Sequence, residues 1–235
     1  MLLLVASVMI TTGNAGNVLH TCPDESRILE VGEFHGEEVE AETGETWLGL
    51  HISDGQSQLF DYKLTVEPVN DPIVDEPEGT TGKKVSVDLP LQPTFLISTE
   101  WLSTGPVQTV LEGSYEKTLA PLSPVILKLG HTSYQLKVTS SESDEKCAEE
   151  GLPKNAKLVL VSGESEQILY SLEECGNDAG WFLLWASDLD RDGKLDLYVS
   201  VTQHYNVSEK KLFLSSAAGD GQLVEQIAQF VTSGC

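Results

Sequence analysis

Between Ser187 and Leu197 the chain carries aspartates at 188, 190, 192 and 196 and a glycine at 193. Carboxylates at alternating positions, followed by a residue that permits a sharp turn, describe a loop folded about one hard cation. Calcium is the expected ion, because it accepts six to eight oxygen ligands in a flexible shell. The spacing predicts side-chain oxygens from Asp188, Asp190 and Asp192, the main-chain carbonyl of Lys194, and a closing carboxylate from Asp196. Gly193 lets the chain turn sharply enough to bring Asp196 back. An ion held by protein oxygens on every side rigidifies a turn, whereas catalysis needs an open coordination position. The expected role is therefore structural.

No other motif competes with this one. His-Glu-x-x-His, Gly-x-Ser-x-Gly, the phosphate-binding Gly-x-x-x-x-Gly-Lys-Ser/Thr and a Gly-x-Gly-x-x-Gly opening a helix are all missing from the sequence. The histidines at 20, 35, 51, 131 and 204 are scattered without ligand spacing. His204, in Gln203-His204-Tyr205-Asn206, is a candidate acid–base group, and a lone histidine of this kind is more often a structural residue. With 37 acidic residues some pair will always imitate a glycosidase dyad, so carboxylate pairs carry no information here. Trp181 and Trp185, at strand spacing, read as core rather than as sugar-stacking platforms.

The loop must be positioned by strands. An EF-hand is excluded, because its twelfth loop position needs a bidentate Glu and position 12 counted from Asp188 is Val199. On the entry side, Trp181-Phe182-Leu183-Leu184-Trp185-Ala186 is apolar on both faces, as in a strand covered from each side. On the exit side, Leu195, Leu197, Val199 and Val201 alternate with Asp196, Tyr198, Ser200 and Thr202, the period-2 pattern of a half-buried strand. Further strands are expected at Thr46–Ile52, Leu59–Glu67, Lys83–Asp88, Thr94–Thr99, Val107–Leu111, Val125–Leu129, Tyr134–Thr139, Lys157–Val161, Gln167–Leu172, Lys211–Ser215 and Gln222–Val231. Helical periodicity is hard to find. The fold class is all-β, with mostly antiparallel sheets, sandwich-like or partial-propeller-like and not a complete propeller. The polar run Ser140–Lys146 marks a boundary or a long loop, giving an N-terminal β region over 22–139 and a C-terminal one over 147–235.

The strand–DxDxDGxxDL–strand pattern of Asp188, Asp190, Asp192, Gly193 and Asp196, with the exit Leu197-Tyr198-Val199, resembles the calcium loop of FG-GAP and VCBS-type repeats of integrin-like propellers. The resemblance covers roughly residues 181–231 and implies one structural calcium at a hairpin tip. A propeller needs several such blades, and elsewhere only Ser53-Asp54-Gly55 and Asp220-Gly221 offer fragments of a loop. A single repeat set in another β-fold is expected.

Composition sets the compartment and the partners. Against 14 basic residues the acids leave a net charge of −23, which repels phosphate backbones and anionic membranes. No nucleic-acid partner is expected. Seven glutamates between Glu30 and Glu45 read mostly as a solvated face or loop. The apolar run Met1–Ile10, followed by Gly13-x-Ala15, is too short to span a bilayer and suits a signal peptide over residues 1–15, although no Lys or Arg precedes it. The competing reading is a buried N-terminal strand. Cysteines at 22, 147, 175 and 235 behind an export signal favour two disulfides, with Cys147–Cys175 preferred because both flank one hairpin, leaving Cys22 with Cys235. The expectation is a secreted or periplasmic calcium-binding module that binds or scaffolds an extracellular protein or glycan, without membrane insertion after cleavage of the signal. The alternative is a cell-envelope hydrolase acting on glycans or esters.

Overall fold

The computed structural model describes residues 26–108, 110, 117–140, 151–176 and 180–234. The signal-peptide segment, Cys22, Cys147, Cys235 and the turn at 177–179 lie outside those residues. Cys175 is half-buried beside Leu152, whose carbonyl accepts the N–H of Gly176 at 3.1 Å.

The described residues form antiparallel β-sheets, one of them curled into an open half-barrel, and no closed propeller. In chain order the strands are β1 (Arg27–Leu29), β2 (Gly32–Phe34), β3 (Thr46–Ser53), β4 (Gln56–Val69), β5 (Gly82–Val87), β6 (Phe95–Ser98), β7 (Gly105–Val107), β8 (Lys117–Leu119), β9 (Val125–Leu129), β10 (Thr132–Thr139), β11 (Ala156–Ser162), β12 (Ser165–Leu172), β13 (Trp181–Ser187), β14 (Asp196–Val201), β15 (Val207–Leu214) and β16 (Glu225–Ser233). One 3₁₀ turn, Gly36–Glu38, interrupts them. Among the described residues no helix is long and apolar enough to cross a membrane.

Three sheets result. One runs β1-β6-β3-β4-β5-β2, with β7 added on the first part of β4; the second runs β12-β11-β10-β9; the third runs β16-β15-β14-β13-β8. The chain between Thr139 and Ala156 joins β10 to β11, antiparallel neighbours within one sheet. Asp54 and Gly55 connect β3 to β4 with φ of 51° and 75°. Two successive positive φ values are the mark of a tight hairpin turn whose twist matches its strands. Ser53-Asp54-Gly55 is thus a hairpin turn.

The five-stranded sheet is covered on both faces. From β14, Leu197, Val199 and Val201 pack with the four-stranded sheet, and Tyr198 packs the other way into the core of the seven-stranded sheet. β15 divides in the same manner, with Phe213 on one side and Leu212 and Leu214 on the other. The half-buried strand expected at Leu195–Thr202 is therefore corrected: all six residues of β14 are buried. Its polar-looking face is satisfied internally. Tyr198 packs against Phe95 with ring centroids 4.8 Å apart, and its hydroxyl donates to Glu30 Oε1 at 2.9 Å. Trp181 and Trp185 are core residues as expected, one in each apolar cluster.

The acidic N-terminal stretch is more structured than a solvated loop. Glu30 accepts from Lys210 Nζ at 2.5 Å, and Glu45 pairs with Arg27 at 2.9 Å and accepts from the Trp47 indole at 2.8 Å. Glu38 accepts the main-chain N–H of Ser233 at 2.6 Å and that of His35 at 3.1 Å.

Candidate metal centre

The acidic loop joins β13 to β14 at one end of the central sheet. The antiparallel register pairs Ser187 with Asp196, so the residues between them form a closed tip. β15 lies on the other side of β14, with Leu197 opposite Phe213, which carries Ser215 and Ser216 to the same end. The site is thus built from one loop and the exit of a neighbouring strand.

Asp188, Asp190 and Asp196 each offer a carboxylate oxygen within 4.8 Å of the others. Asp196 is fully buried. Its Oδ2 accepts the N–H of Leu189 at 2.6 Å, and its Oδ1 accepts the N–H of Ser215 at 2.8 Å and the Ser215 hydroxyl at 2.9 Å. Asp190 Oδ1 accepts the N–H of Asp192 at 3.1 Å, and its Oδ2 accepts from the Ser216 hydroxyl. Asp192 stands at the rim. Its Oδ1 accepts the N–H of Lys194 at 2.8 Å and the Ser215 hydroxyl at 3.0 Å, and its Oδ2 lies 3.6 Å from Lys194 Nζ. The Lys194 side chain is exposed. A hydroxyl has a single proton to donate, so Ser215 satisfies Asp192 or Asp196 at any instant and never both.

Asp188 is the residue that decides the chemistry. Only 9% exposed, it accepts the Gly193 N–H on Oδ2 at 3.0 Å. Gly193 has a φ of 85°, so the turn that delivers this N–H needs its lack of a side chain. The other oxygen, Oδ1, is buried with no hydrogen-bond partner. The indole nitrogen of Trp181 and the hydroxyl of Tyr62 share that state, but Asp188 Oδ1 is the one carboxylate oxygen among them. An unpaired buried carboxylate oxygen is costly, and here it sits beside two more carboxylates. No family model, no curated protein and no solved structure matches the chain. The functional reading therefore rests on the geometry.

Electrostatics says the same. Burial, and then the charge of Asp190, push Asp196 up to about 7. Burial raises Asp188 as well, with Asp190 and Asp192 adding to it and the main-chain N–H groups of Gly193 and Arg191 opposing. Carboxyl groups held above their ordinary range lack a countercharge; a divalent cation among Asp188, Asp190 and Asp196 would supply it. Hard oxygens as the whole donor set suit calcium or magnesium rather than zinc or copper. The residues present fit such an ion.

Sequence reasoning located the four aspartates, and the structure converges three of them. Ser215 and Ser216 gave no signal, because they reach the site through strand pairing 19 to 26 positions away. Arg191, inside the loop, was also missed. His204 is placed elsewhere: its Nδ1 contacts Asn206 Oδ1 at 2.5 Å within its own turn, and its ring lies 4.3 Å from that of Tyr205.

Proposed function

We propose that this chain is a calcium-binding β module of an exported, disulfide-bonded protein, with a binding or scaffolding role toward an extracellular protein or glycan rather than a catalytic one. The observation that carries the ion is the unpaired, buried Oδ1 of Asp188, a residue that converges with Asp190 and Asp196. The likeness of the loop to FG-GAP and VCBS-type calcium loops supports the same ion, with Asp192 and the carbonyl of Lys194 completing the shell. Each carboxylate drawn onto the ion stops repelling its neighbours, so the ion fixes the β13–β14 hairpin tip. Because β14 is the middle strand of a sheet covered on both faces, the tip lies at the end of a strand whose six residues are all buried.

Thermal melting of the full chain in calcium and in chelator tests the reading. Calcium at about 100 times its dissociation constant should stabilise the fold by about 2.7 kcal/mol, and Asp190→Ala should abolish that gain. Superimposable melting curves in calcium and in EGTA would refute it. Magnesium should stabilise less, since it demands a tighter octahedral shell and gives up its waters reluctantly.

A further inference from the structure

Asp188, Asp190 and Asp196 converge at the candidate ion site, with Asp192 at its rim, but Arg191 between Asp190 and Asp192 reaches away from it. The Arg191 guanidinium reaches β7 and the residues just before it, donating from Nε to the carbonyl of Pro106, from Nη1 to the Ser103 hydroxyl and from Nη2 to the Ser103 carbonyl, each at 3.0 Å. Three parallel donations from one planar fork fix distance and direction together. Gly105 makes room for the fork, since a Cβ there would lie 3.1 Å from Nη2. Arg191 itself adopts a φ of 67°, a left-handed conformation that is unfavourable for a residue with a side chain. This conformation is held only where its surroundings enforce it.

β7 is poorly held by its own sheet. It is three residues long, contains Pro106, which has no N–H to donate, and pairs only with Ser57–Leu59 of β4 among the described residues. Besides β4 and the packing of Val107 in the core, the hydrogen bonds that hold it among the described residues come from the metal-loop hairpin: Arg191 at Ser103 and Pro106, and the Ser187 hydroxyl donating to the carbonyl of Gln108. The Trp185 indole, on β13 like Ser187, donates at 3.4 Å to Oγ of Ser57, the β4 residue paired with Val107 of β7.

We propose that Arg191 is a positioning residue through which the calcium site controls the docking of β7, so that ion binding in the central sheet tightens an edge of the seven-stranded sheet. The proposal rests on the calcium reading above. With the ion in place, Asp190 and Asp192 are drawn to one side of the loop, which holds Arg191 in its left-handed conformation with the fork aimed at Ser103 and Pro106. Without it, carboxylate repulsion spreads the loop and the fork loses its register. Coupling between two sites is reciprocal, so severing the fork must weaken calcium binding by the same factor by which calcium tightens β7.

The test combines calcium titration calorimetry with amide hydrogen exchange of the 103–108 segment, on the full chain and on Arg191→Ala and Arg191→Lys. In the wild type, exchange of this segment should slow on moving from EGTA to calcium. Arg191→Ala should still bind calcium, about 10-fold more weakly, and lose the calcium-dependent protection. Arg191→Lys, which keeps the charge without the fork, should fall near the alanine variant. Equal exchange of 103–108 in EGTA and calcium, with calcium bound, overturns this proposal and leaves the calcium site standing. Unchanged affinity in both variants overturns it too. Absence of any calcium uptake by the wild type overturns the site reading and this proposal together.

Discussion

Two stretches of this chain are strongly acidic, and they solve the problem of their charge in opposite ways. Between Glu30 and Glu45 the carboxylates that enter the fold have each found a protein donor: Lys210 and Tyr198 for Glu30, Arg27 and Trp47 for Glu45, Ser233 and His35 for Glu38. Between Asp188 and Asp196 the carboxylates turn toward one another, take main-chain and serine donors on their outer lone pairs, and leave a buried oxygen of Asp188 unmatched. By composition both regions are simply acidic, and the spacing of the aspartates already sets the second apart. In the structure convergence separates them: charge matched by the protein makes a brace, and charge aimed at charge makes a cluster that could hold an ion.

The largest effect expected at the loop comes from Asp196. Replacing it by Ala strands the N–H groups of Leu189 and Ser215 in the interior and frees the Ser215 hydroxyl. Each buried donor left unmatched costs about 1–3 kcal/mol, so the variant should lose about 4 kcal/mol in urea unfolding even in EGTA, and should no longer respond to calcium. A loss below about 1 kcal/mol would mean that the loop is not integral to the central sheet.

Asp188→Asn breaks the comparison at its sharpest point, because its sign should depend on the solvent. The substitution keeps the shape, removes one buried charge, and can place an amide N–H where Oδ1 lacks a partner. In EGTA the variant should melt higher than the wild type, by about 1 kcal/mol of stability. In calcium the order should reverse as the ion loses a ligand. A variant that is less stable in both buffers would show that Asp188 is a structural carboxylate like those of the acidic N-terminal stretch.

The loop was legible in the sequence because its ligands lie within nine residues and its flanks carry strand periodicity. Most strands were legible too, from runs such as Leu195–Val201 and the hairpin turned at Gly163-Glu164. The layering was not. Asp196, Tyr198 and Ser200 alternate with aliphatics, as they would beside water, yet Tyr198 meets Glu30 from 168 positions away and Asp196 meets the strand exit at Ser215. A period of two says which residues share a face and nothing about what covers the polar one. β1, β2 and β8 are three residues each, too short for any period to show. Arg191 sits at the most loop-like position of the motif, and its partners at Ser103 and Pro106 come from another sheet.

Glu30→Gln supplies the control from the other acidic region. Glu30 and Lys210 are only partly shielded, and a glutamine oxygen can still accept from the buried Tyr198 hydroxyl, so the brace should be worth about 1 kcal/mol. The loss should be equal in calcium and in EGTA, since nothing in this brace touches the ion site. A calcium-dependent loss would mean that the two regions are coupled across the central sheet by more than Arg191.

The smallest effect expected is a slope rather than a step. His35 Nδ1 contacts Asp71, and that hydrogen bond is the main cause that raises the imidazole above its ordinary 6.5, with the charges of Asp71, Glu38 and Glu37 adding and burial opposing. The same contact holds Asp71 below its ordinary 3.8, helped by the N–H of Ile73. A raised histidine contributes stability that is complete below 6.5 and disappears as pH climbs through the higher folded value. A lowered aspartate contributes stability that is complete above 3.8 and disappears as pH falls through the lower folded value. The pair therefore contributes most between those two pH values and fades on both sides, with Lys83 lining the same cleft of about 560 Å³ as His35 and Asp71. Against Asp71→Asn, the wild-type advantage in urea unfolding should be greatest near pH 5–6 and shrink toward pH 8–9, with calcium held saturating so that the metal loop does not contribute. Parallel stability curves from pH 5 to pH 9 would show that this carboxylate and imidazole, unlike the other braces of the acidic N-terminal stretch, are held by packing rather than by charge.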